Sequence, residues 1–440
     1  MTDEQNQSSG VFNLLRKVVA VKTEEVRALA LGFLYYFLIL SSYYVIRPIR
    51  DGFGVAGGIE NLATMYTGTL VVMLLANTLF SSLVVRFSRR RFIPIAYRFF
   101  IANLLIFFVL LHLIPTQQIW VGRAFFIWTS VFNLFVLSVF WAFMVDVFNS
   151  EQGKRLFGFI SVGGTLGAIV GATITASLVL RIGTTNLLLV SALLVELSAQ
   201  CVRLFPAPPK DATTNEAAKS EEAPIGGGVW AGLVHNVKSP YLLGISGYML
   251  LYSITSTLLY FQQAGIAKAS FSGRAASTAF FAQVDLVVNV LTILIQIFLT
   301  GKLLKWLGIG VTLAILPALS VVGFTSVGIK PTLVMLVVFL TLRRATNFAL
   351  ARPARETLFT VVSREDKYKA KNFIDTIVYR TGDQIGAWTS TLLTSLALGL
   401  RQVSFFAAPL AVVWLLVSLW LGKKQSQASN QIEPAEQPTT

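Results

Sequence analysis

Residues 157–180 read FGFISVGGTLGAIVGATITASLVL, and they decide what kind of chain this is. No charge interrupts them. A helix rising about 1.5 Å per residue needs about 20 apolar residues to cross about 30 Å of hydrocarbon, so this stretch predicts a membrane crossing. Working outward on the same rule, the first half of the chain gives Ala28–Ile46, Leu62–Val85, Phe92–Leu113, Ile119–Val145, this run itself (Phe157–Leu180) and Asn186–Leu204. The second half gives Tyr241–Phe261, Thr278–Thr300, Trp306–Ile329, Thr332–Ala351, Phe373–Leu398 and Val403–Leu421. The expected fold is an all-α membrane protein with twelve transmembrane helices. Polar residues break into the fourth and eleventh runs.

Composition agrees. Of 440 residues 55% are hydrophobic and 13% charged, with 33 Phe and a mean hydropathy of +0.68. A soluble domain carries about a quarter of its residues charged; half that leaves apolar surface that only lipid covers, so membrane lipid is the expected surrounding. A single Cys (Cys201) and two His (His112, His235) exclude a disulfide framework and a His/Cys metal cage. Cys201 reads as an inert buried thiol, and the chain implies no metal and no cofactor. The net charge of +15 would suit a nucleic-acid polymer only if the cations shared one face of a soluble domain. They lie instead in short gaps between apolar runs, so no nucleic acid polymer is expected as a partner. The first ten residues are polar, with neither a signal peptide nor a transit sequence, and Phe12–Lys22 reads as an amphipathic segment at the inner surface.

Orientation follows from Lys and Arg, which concentrate in cytoplasmic loops. With twelve crossings both termini share a side. That side (residues 1–27, 86–91, 154–155, 203–238, 302–305, 355–371 and 423–424) holds 23 of the 36 cations. Both termini are therefore expected in the cytoplasm, in a bacterial inner membrane. The expected division is a cytoplasmic N-terminus (1–27), a six-helix bundle (28–205), a cytoplasmic linker (206–238) rich in Ala, Pro, Glu, Lys and Gly, a second bundle (239–421) and a disordered tail (422–440).

The halves echo each other. Gly163-Gly164-Thr165-Leu166-Gly167-Ala168 matches Gly382-Asp383-Gln384-Ile385-Gly386-Ala387, 219 residues on, each after a charged loop. Two six-helix halves repeated in one orientation resemble the major facilitator transporters, which implies a substrate site at midplane between the halves. Gly163, Gly167 and Gly171, four apart, form a small-residue stripe of the kind that lets helices pack closely.

Charge inside hydrocarbon costs about 2.5–3.5 kcal/mol on insertion scales and calls for a reason. Mid-span lie Asn133 in the fourth run and Asp285 and Asn289 in the eighth, with Gln296 on the same face. Arg343, Arg344 and Asn347 lie in the tenth, and Tyr379, Arg380 and Asp383 in the eleventh. Arg380 with Asp383, or Arg344 with Asp285, would make structural ion pairs, yet three Arg against two Asp leave positive charge over. Arg47, Arg50 and Asp51 share one face at the outer end of the first span. They suit either snorkelling to headgroups or a basic mouth for phosphate or carboxylate. Tyr43, Tyr44, Trp128, Trp141 and Tyr379 offer ring faces for an organic base. Asp146 with Lys154 and Arg155, and Arg352, Arg355 and Glu356 with Asp375, read as charges of a cytoplasmic gate. No phosphate-binding Gly-rich loop, metalloprotease motif or nucleophile elbow occurs, so transport by exchange or ion coupling is expected and enzymatic activity is not.

Ser42-Tyr43-Tyr44-Val45-Ile46-Arg47-Pro48-Ile49-Arg50-Asp51 resembles the ATP:ADP antiporter family of nucleotide transporters, whose first helix ends in an aromatic segment followed by Leu-Arg-Asp-x-Lys-Asp. Arg47 matches the Arg, Arg50 stands for the Lys and Asp51 matches the last Asp, while Pro48 departs. Lys371-Asn372-Phe373-Ile374-Asp375 matches a Lys-x-x-Ile-Asp element, and Gly382-Asp383 stands where the family has Gly-Lys. The basic run Arg86–Arg91 lies where major facilitators carry a Gly/Asp/Arg loop, without its Gly and Asp. The resemblance implies a monomeric secondary transporter for a small anionic substrate, a nucleotide or organic phosphate. Arg47, Arg50, Arg343, Arg344 and Arg380 would be the cationic contacts, with Asp285, Asn289 and Asn347 orienting the cargo. A proton-coupled carrier of another anion or drug, and a lipid flippase or envelope-assembly partner, are the alternatives.

Overall fold

The computed structural model describes residues 21–86, 89–114, 118–148, 150–205, 239–362, 370–371 and 373–432. The expected linker 206–238, the amphipathic segment up to residue 20 and the loop at 363–369 lie outside them, as do the side chains of the basic run at 86–91. Every regular element described is helical. In chain order the long helices are α1 (Val26–Ala56), α2 (Leu62–Arg86), α3 (Arg89–Leu113), α4 (Gln118–Val147), α5 (Ser150–Leu204), α6 (Pro240–Ser270), α7 (Arg274–Ile295), α8 (Gly301–Ile329), α9 (Leu333–Thr346), α10 (Tyr379–Ser395) and α11 (Leu400–Ile432), with a short helix at Arg352–Thr357 between α9 and α10. Three π-helical turns, Gln296–Thr300, Asn347–Ala351 and Ile374–Val378, join or extend them.

Nine helical stretches among the described residues are long and apolar enough to cross a membrane, against twelve runs read from the sequence. The counts differ at three places. α5 carries the expected fifth and sixth runs, and Gly183 inside it has φ 80° and ψ 164°. The stretch Arg274–Ile329 carries the eighth and ninth, with Gly308 at φ 72° and ψ 175°. That backbone region is open essentially to glycine alone, so each glycine turns the chain where a side chain would strain it. The eleventh run is built from the π-turn at 374–378 and the short, polar-faced α10.

Two further boundaries move. α1 does not end near Ile46 but continues to Ala56 with Pro48 inside it. Proline interrupts the helix by removing one amide donor, yet Pro48 is buried and the turns on either side hold. Arg47, Arg50 and Asp51 thus sit within the helix and not at its mouth. α11 runs on to Ile432, where a tail was expected from residue 422.

The chain forms two compact units. The first is Met1–Gly57, Gly68–Asn215 and Phe271–Leu286; the second is Gly58–Thr67, Glu216–Ser270 and Val287–Thr440. In the first, α1 and α5 approach backbone to backbone. A methyl group added at Gly163, Gly167 or Gly171 would stand 2.6, 2.2 and 2.3 Å from the carbonyl oxygens of Phe33, Phe37 and Ser41. Thr175 Oγ1 donates to Val45 O at 3.0 Å, and Ser42 and Ser191 bond hydroxyl to hydroxyl at 2.8 Å, so α1 is tied to α5 on both sides of the Gly183 turn. Rings fill the rest: Tyr35, Tyr97, Phe125, Phe132, Phe140 and Phe143 are all buried.

The second unit repeats the device. A methyl at Gly382 would stand 2.7 Å from Ser253 Cβ, and one at Gly386 2.9 Å from Ile254 O, which seats α10 on α6. The matched sextets at 163–168 and 382–387 therefore occupy equivalent positions, each laid on the first helix of its unit. Elsewhere in that unit, Trp414 is fully buried with Tyr248 against it, ring centroids 5.3 Å apart.

Substituting Gly167 by Ala must part α1 from α5, because the obstacle is backbone, and is expected to cost about 1–3 kcal/mol. Gly158→Ala, whose added methyl meets nothing within 4 Å, is expected to be neutral or stabilising by up to about 1 kcal/mol. Thermal unfolding of the purified protein checks both.

Candidate substrate site

In the first unit, α1 turns its Arg47-Arg50-Asp51 face into the bundle. Arg47 Nη1 lies 3.3 Å from Asp285 Oδ1, with side chains 20% and 2% exposed, and its guanidinium sits over the Tyr44 ring at 5.4 Å. Arg50 lies 3.8 Å from Asp51 and stacks on the Phe126 ring at 4.1 Å. Both guanidiniums are thus engaged with carboxylates and ring faces of their own unit. Arg on an aromatic face and beside a carboxylate is held by both charge and quadrupole. Asn133, half-buried on α4, keeps Oδ1 enclosed with no hydrogen-bond partner among the described residues. Tyr43 and Tyr44 pack edge to face at 5.5 Å.

Arg274, at the start of α7, was not picked out from the sequence. Its Nε donates to Thr184 Oγ1 at 3.0 Å and its Nη1 to Gln118 Oε1 at 3.2 Å, above the Phe53 ring at 4.7 Å. A lone cation between two apolar runs reads as a loop charge, so no local signal marks it.

In the second unit, α6, α9 and α10 bring polar groups together. Asp383 is buried. Its Oδ1 accepts from Ser253 Oγ at 2.6 Å and Thr257 Oγ1 at 3.1 Å, and its Oδ2 lies 3.2 Å from Arg380 Nη1. The expected i, i+3 pair of Arg380 and Asp383 is present. Arg380 also lies over the Tyr379 ring at 5.6 Å, and Tyr379 is 6.3 Å from Tyr252. Asn347 Nδ2 donates to Tyr252 Oη at 2.9 Å. Asn347, Tyr379 and Arg380 are half-buried and linked through Tyr252; Arg344 is half-buried as well. Arg343 differs: it is 2% exposed and bonded on every side. Asn289 is buried with Nδ2 unbonded among the described residues. Tyr252 and Ser253, which organise the cluster, carry no charge and sit in an apolar run, so sequence reading passes over them.

The expected gate residues fall into two groups. Arg155 is held by Glu25, a residue the sequence reading did not single out. Its Nη2 lies 2.9 Å from Glu25 Oε1 and its Nη1 3.4 Å from Oε2, while Gln152 Nε2 and the Lys22 amide each donate to the same carboxylate at 2.9 Å. Asp146 is exposed on α4, and the Lys154 side chain lies outside the described residues. In the second unit, Arg355 lies 3.4 Å from Asp375 and 3.8 Å from Glu356, and Lys371 bonds to Glu356. Arg352 stands over the Phe348 ring at 5.7 Å.

The sequence model of the Major Facilitator Superfamily matches residues 28–370. Among curated proteins, ADP,ATP carrier protein 2 of Chlamydia pneumoniae is 22% identical over 231 residues, 47% of this chain and 43% of that protein, so the match spans less than half of the relative's length. Among solved structures, a POT family transporter in complex with 5-aminolevulinic acid superposes with a TM-score of 0.63 at 12% identity, covering 91% of this chain and 96% of the other. A mutant of the nucleoside transporter NupG gives 0.62 at 14%, covering 89% and 99%. A D-xylose-proton symporter gives 0.61 at 13%, covering 89% and 97%. These likenesses speak for the fold.

Glu25 is 6% exposed, so removing its cation leaves a buried carboxylate short of charge compensation. Arg155→Ala is expected to cost about 3 kcal/mol. Glu25→Gln combined with Arg155→Met should cost clearly less than Arg155→Ala alone, read as melting temperatures across the double-mutant cycle.

Proposed function

The chain belongs to the Major Facilitator Superfamily and is a multi-pass secondary membrane transporter; from that premise we propose that it exchanges nucleotides or closely related organic phosphates by alternating access. The observation that carries the reading is the set of guanidiniums turned inside the helix bundles beside ring faces: Arg47 with Tyr44, Arg50 with Phe126, and Arg380 with Tyr379. Arg presents a planar fork matched to phosphate, and a ring face stacks on a base. Each of the three also has a carboxylate within 4 Å, Asp285, Asp51 and Asp383 respectively. An arriving phosphate can take that carboxylate's place, so the guanidinium is compensated whether the carrier is empty or loaded. The partial likeness to an ADP,ATP carrier supports the same cargo class.

In this reading Arg47 and Arg50 of the first unit, with Asn133, are candidate phosphate and cargo contacts, and so, taken by themselves, are Arg344 and Arg380 of the second unit with Asn289, Asn347 and Tyr379. The Arg355–Asp375–Glu356–Lys371 cluster of the second unit carries charges of a cytoplasmic gate, and Asp146 of the first unit is a separate candidate for that role. Both termini face the cytoplasm of a bacterial inner membrane. A second reading, coupling to protons, draws on the Asp383 carboxylate. It is buried, and Ser253, Thr257 and Arg380 together satisfy its charged form. Protonation would release Arg380.

The test is uptake of labelled ADP and ATP into proteoliposomes that are empty or preloaded with unlabelled nucleotide. Exchange predicts uptake that requires preloading and falls at least tenfold in Arg47→Ala and Arg344→Ala. Uptake into empty vesicles driven by a pH gradient and abolished by Asp383→Asn would favour the proton reading. No uptake by well-folded protein in any condition would remove nucleotides as cargo.

A further inference from the structure

Among the arginines of the second unit, Arg343 is buried and is solvated in a distinct way. Its Nε donates to Ser320 Oγ at 3.0 Å, its Nη1 to Ser256 Oγ at 3.1 Å, and its Nη2 to Thr255 Oγ1 at 2.8 Å and Tyr252 O at 3.4 Å. The Tyr252 and Trp414 rings flank it at 5.5 and 5.7 Å. No carboxylate of the described residues lies within 4 Å of it, whereas Arg355 and Arg380 each have one. Two of the three hydroxyls have their own protons occupied: Thr255 Oγ1 donates to Leu251 O at 2.7 Å and Ser320 Oγ to Leu316 O at 2.9 Å. Their lone pairs are thereby turned toward the guanidinium. The cage solvates a cation with neutral dipoles and leaves its charge uncancelled.

Such a charge is expensive. Replacing buried ionic groups by apolar side chains of similar volume is often neutral or stabilising, and α6, α8, α9 and α11 could be stapled by such residues without a formal charge. Arg343 has no surface to offer a ligand, so it does not grip the cargo as the sequence suggested. Its cage nevertheless shares a wall with the half-buried polar group, since Tyr252 bonds Asn347 through its hydroxyl and stands beside Tyr379.

We infer that Arg343 is a fixed-charge specificity residue, which favours anionic cargo at the neighbouring Asn347–Tyr379–Arg380 group through its field and without touching the cargo. The inference deepens the organic-phosphate reading and rests on it. At about 10 Å and an effective dielectric near 20, one guanidinium changes affinity by roughly tenfold per negative charge on the ligand. The staple alone would give a penalty independent of ligand charge.

The experiment measures binding of ATP, ADP, AMP, inorganic phosphate and uncharged adenosine to the purified full-length protein and to Arg343→Met and Arg343→Lys. Methionine fills the space between the two rings without charge, and the Thr255 and Ser320 hydroxyls keep their backbone acceptors. Arg343→Gln is the second neutral variant should the first not fold. The expected result is a loss in the neutral variant that steepens with ligand charge, roughly tenfold for each, with adenosine unchanged and the Lys variant close to wild type. Equal losses for adenosine and ATP, or no loss for any ligand, would overturn the inference. If wild type binds phosphate but no nucleotide, the nucleotide reading falls while the phosphate loss in the neutral variant still decides this one. Wild type binding no anion at all would overturn it.

Discussion

A guanidinium inside an apolar helix bundle has to be solvated by the protein that carries it. Leaving the charge bare costs more than a fold can spare. The structure answers in three ways: a carboxylate beside Arg47, Arg155, Arg355 and Arg380, a ring face under Arg50, and a cage of hydroxyls around Arg343. Each solution fixes the rotation of the helices that supply it. Arg343 alone locks α6, α8, α9 and α11, because its partners come from three of them and it stands on the fourth. In the exchange reading these groups are kept for the ligand, because an anion gains most from them.

The second constraint is how closely helices must approach for those groups to meet. Without a hydrophobic driving force inside the bilayer, helices associate through close packing and interhelical hydrogen bonds. The stripes at Gly163, Gly167 and Gly171 on α5, and at Gly382 and Gly386 on α10, bring a second helix to within touching distance of a partner's backbone. The two stripes are related by the internal repeat, and α10 uses its close approach to place Asp383 against Ser253 and Thr257. The glycine at 164, equivalent to Asp383, instead has the Tyr36 ring where a side chain would go. The repeat supplies the scaffold, and the point of departure within it supplies the chemistry.

Much of this was legible in the sequence for a physical reason. The bilayer sets the length of an apolar run, so long apolar stretches stand out, and a four-residue glycine period places small residues on one helical face. Pairings were less legible. Arg380 with Asp383 lies within one turn of one helix and could be read directly. Arg47 with Asp285, and Arg155 with Glu25, join distant segments, and nothing local encodes which way each helix is rotated. The end of α1 was misplaced because Pro48 and three charges look like a terminus, whereas burial of Pro48 and pairing of the charges let the helix run on to Ala56. Arg343 looked like its neighbour Arg344; one residue turns a helix by about 100°, which here separates an enclosed side chain from a half-buried one.

In the exchange reading the carboxylates beside Arg47 and Arg380 stand in for a phosphate. The measurement that decides this is a structure determined by electron cryo-microscopy with ADP bound. The expected result is phosphate density within hydrogen-bond reach of one of these guanidiniums, with its Asp285 or Asp383 contact lengthened beyond 4 Å. Bound ADP with both ion pairs intact and no guanidinium at its phosphates would contradict it.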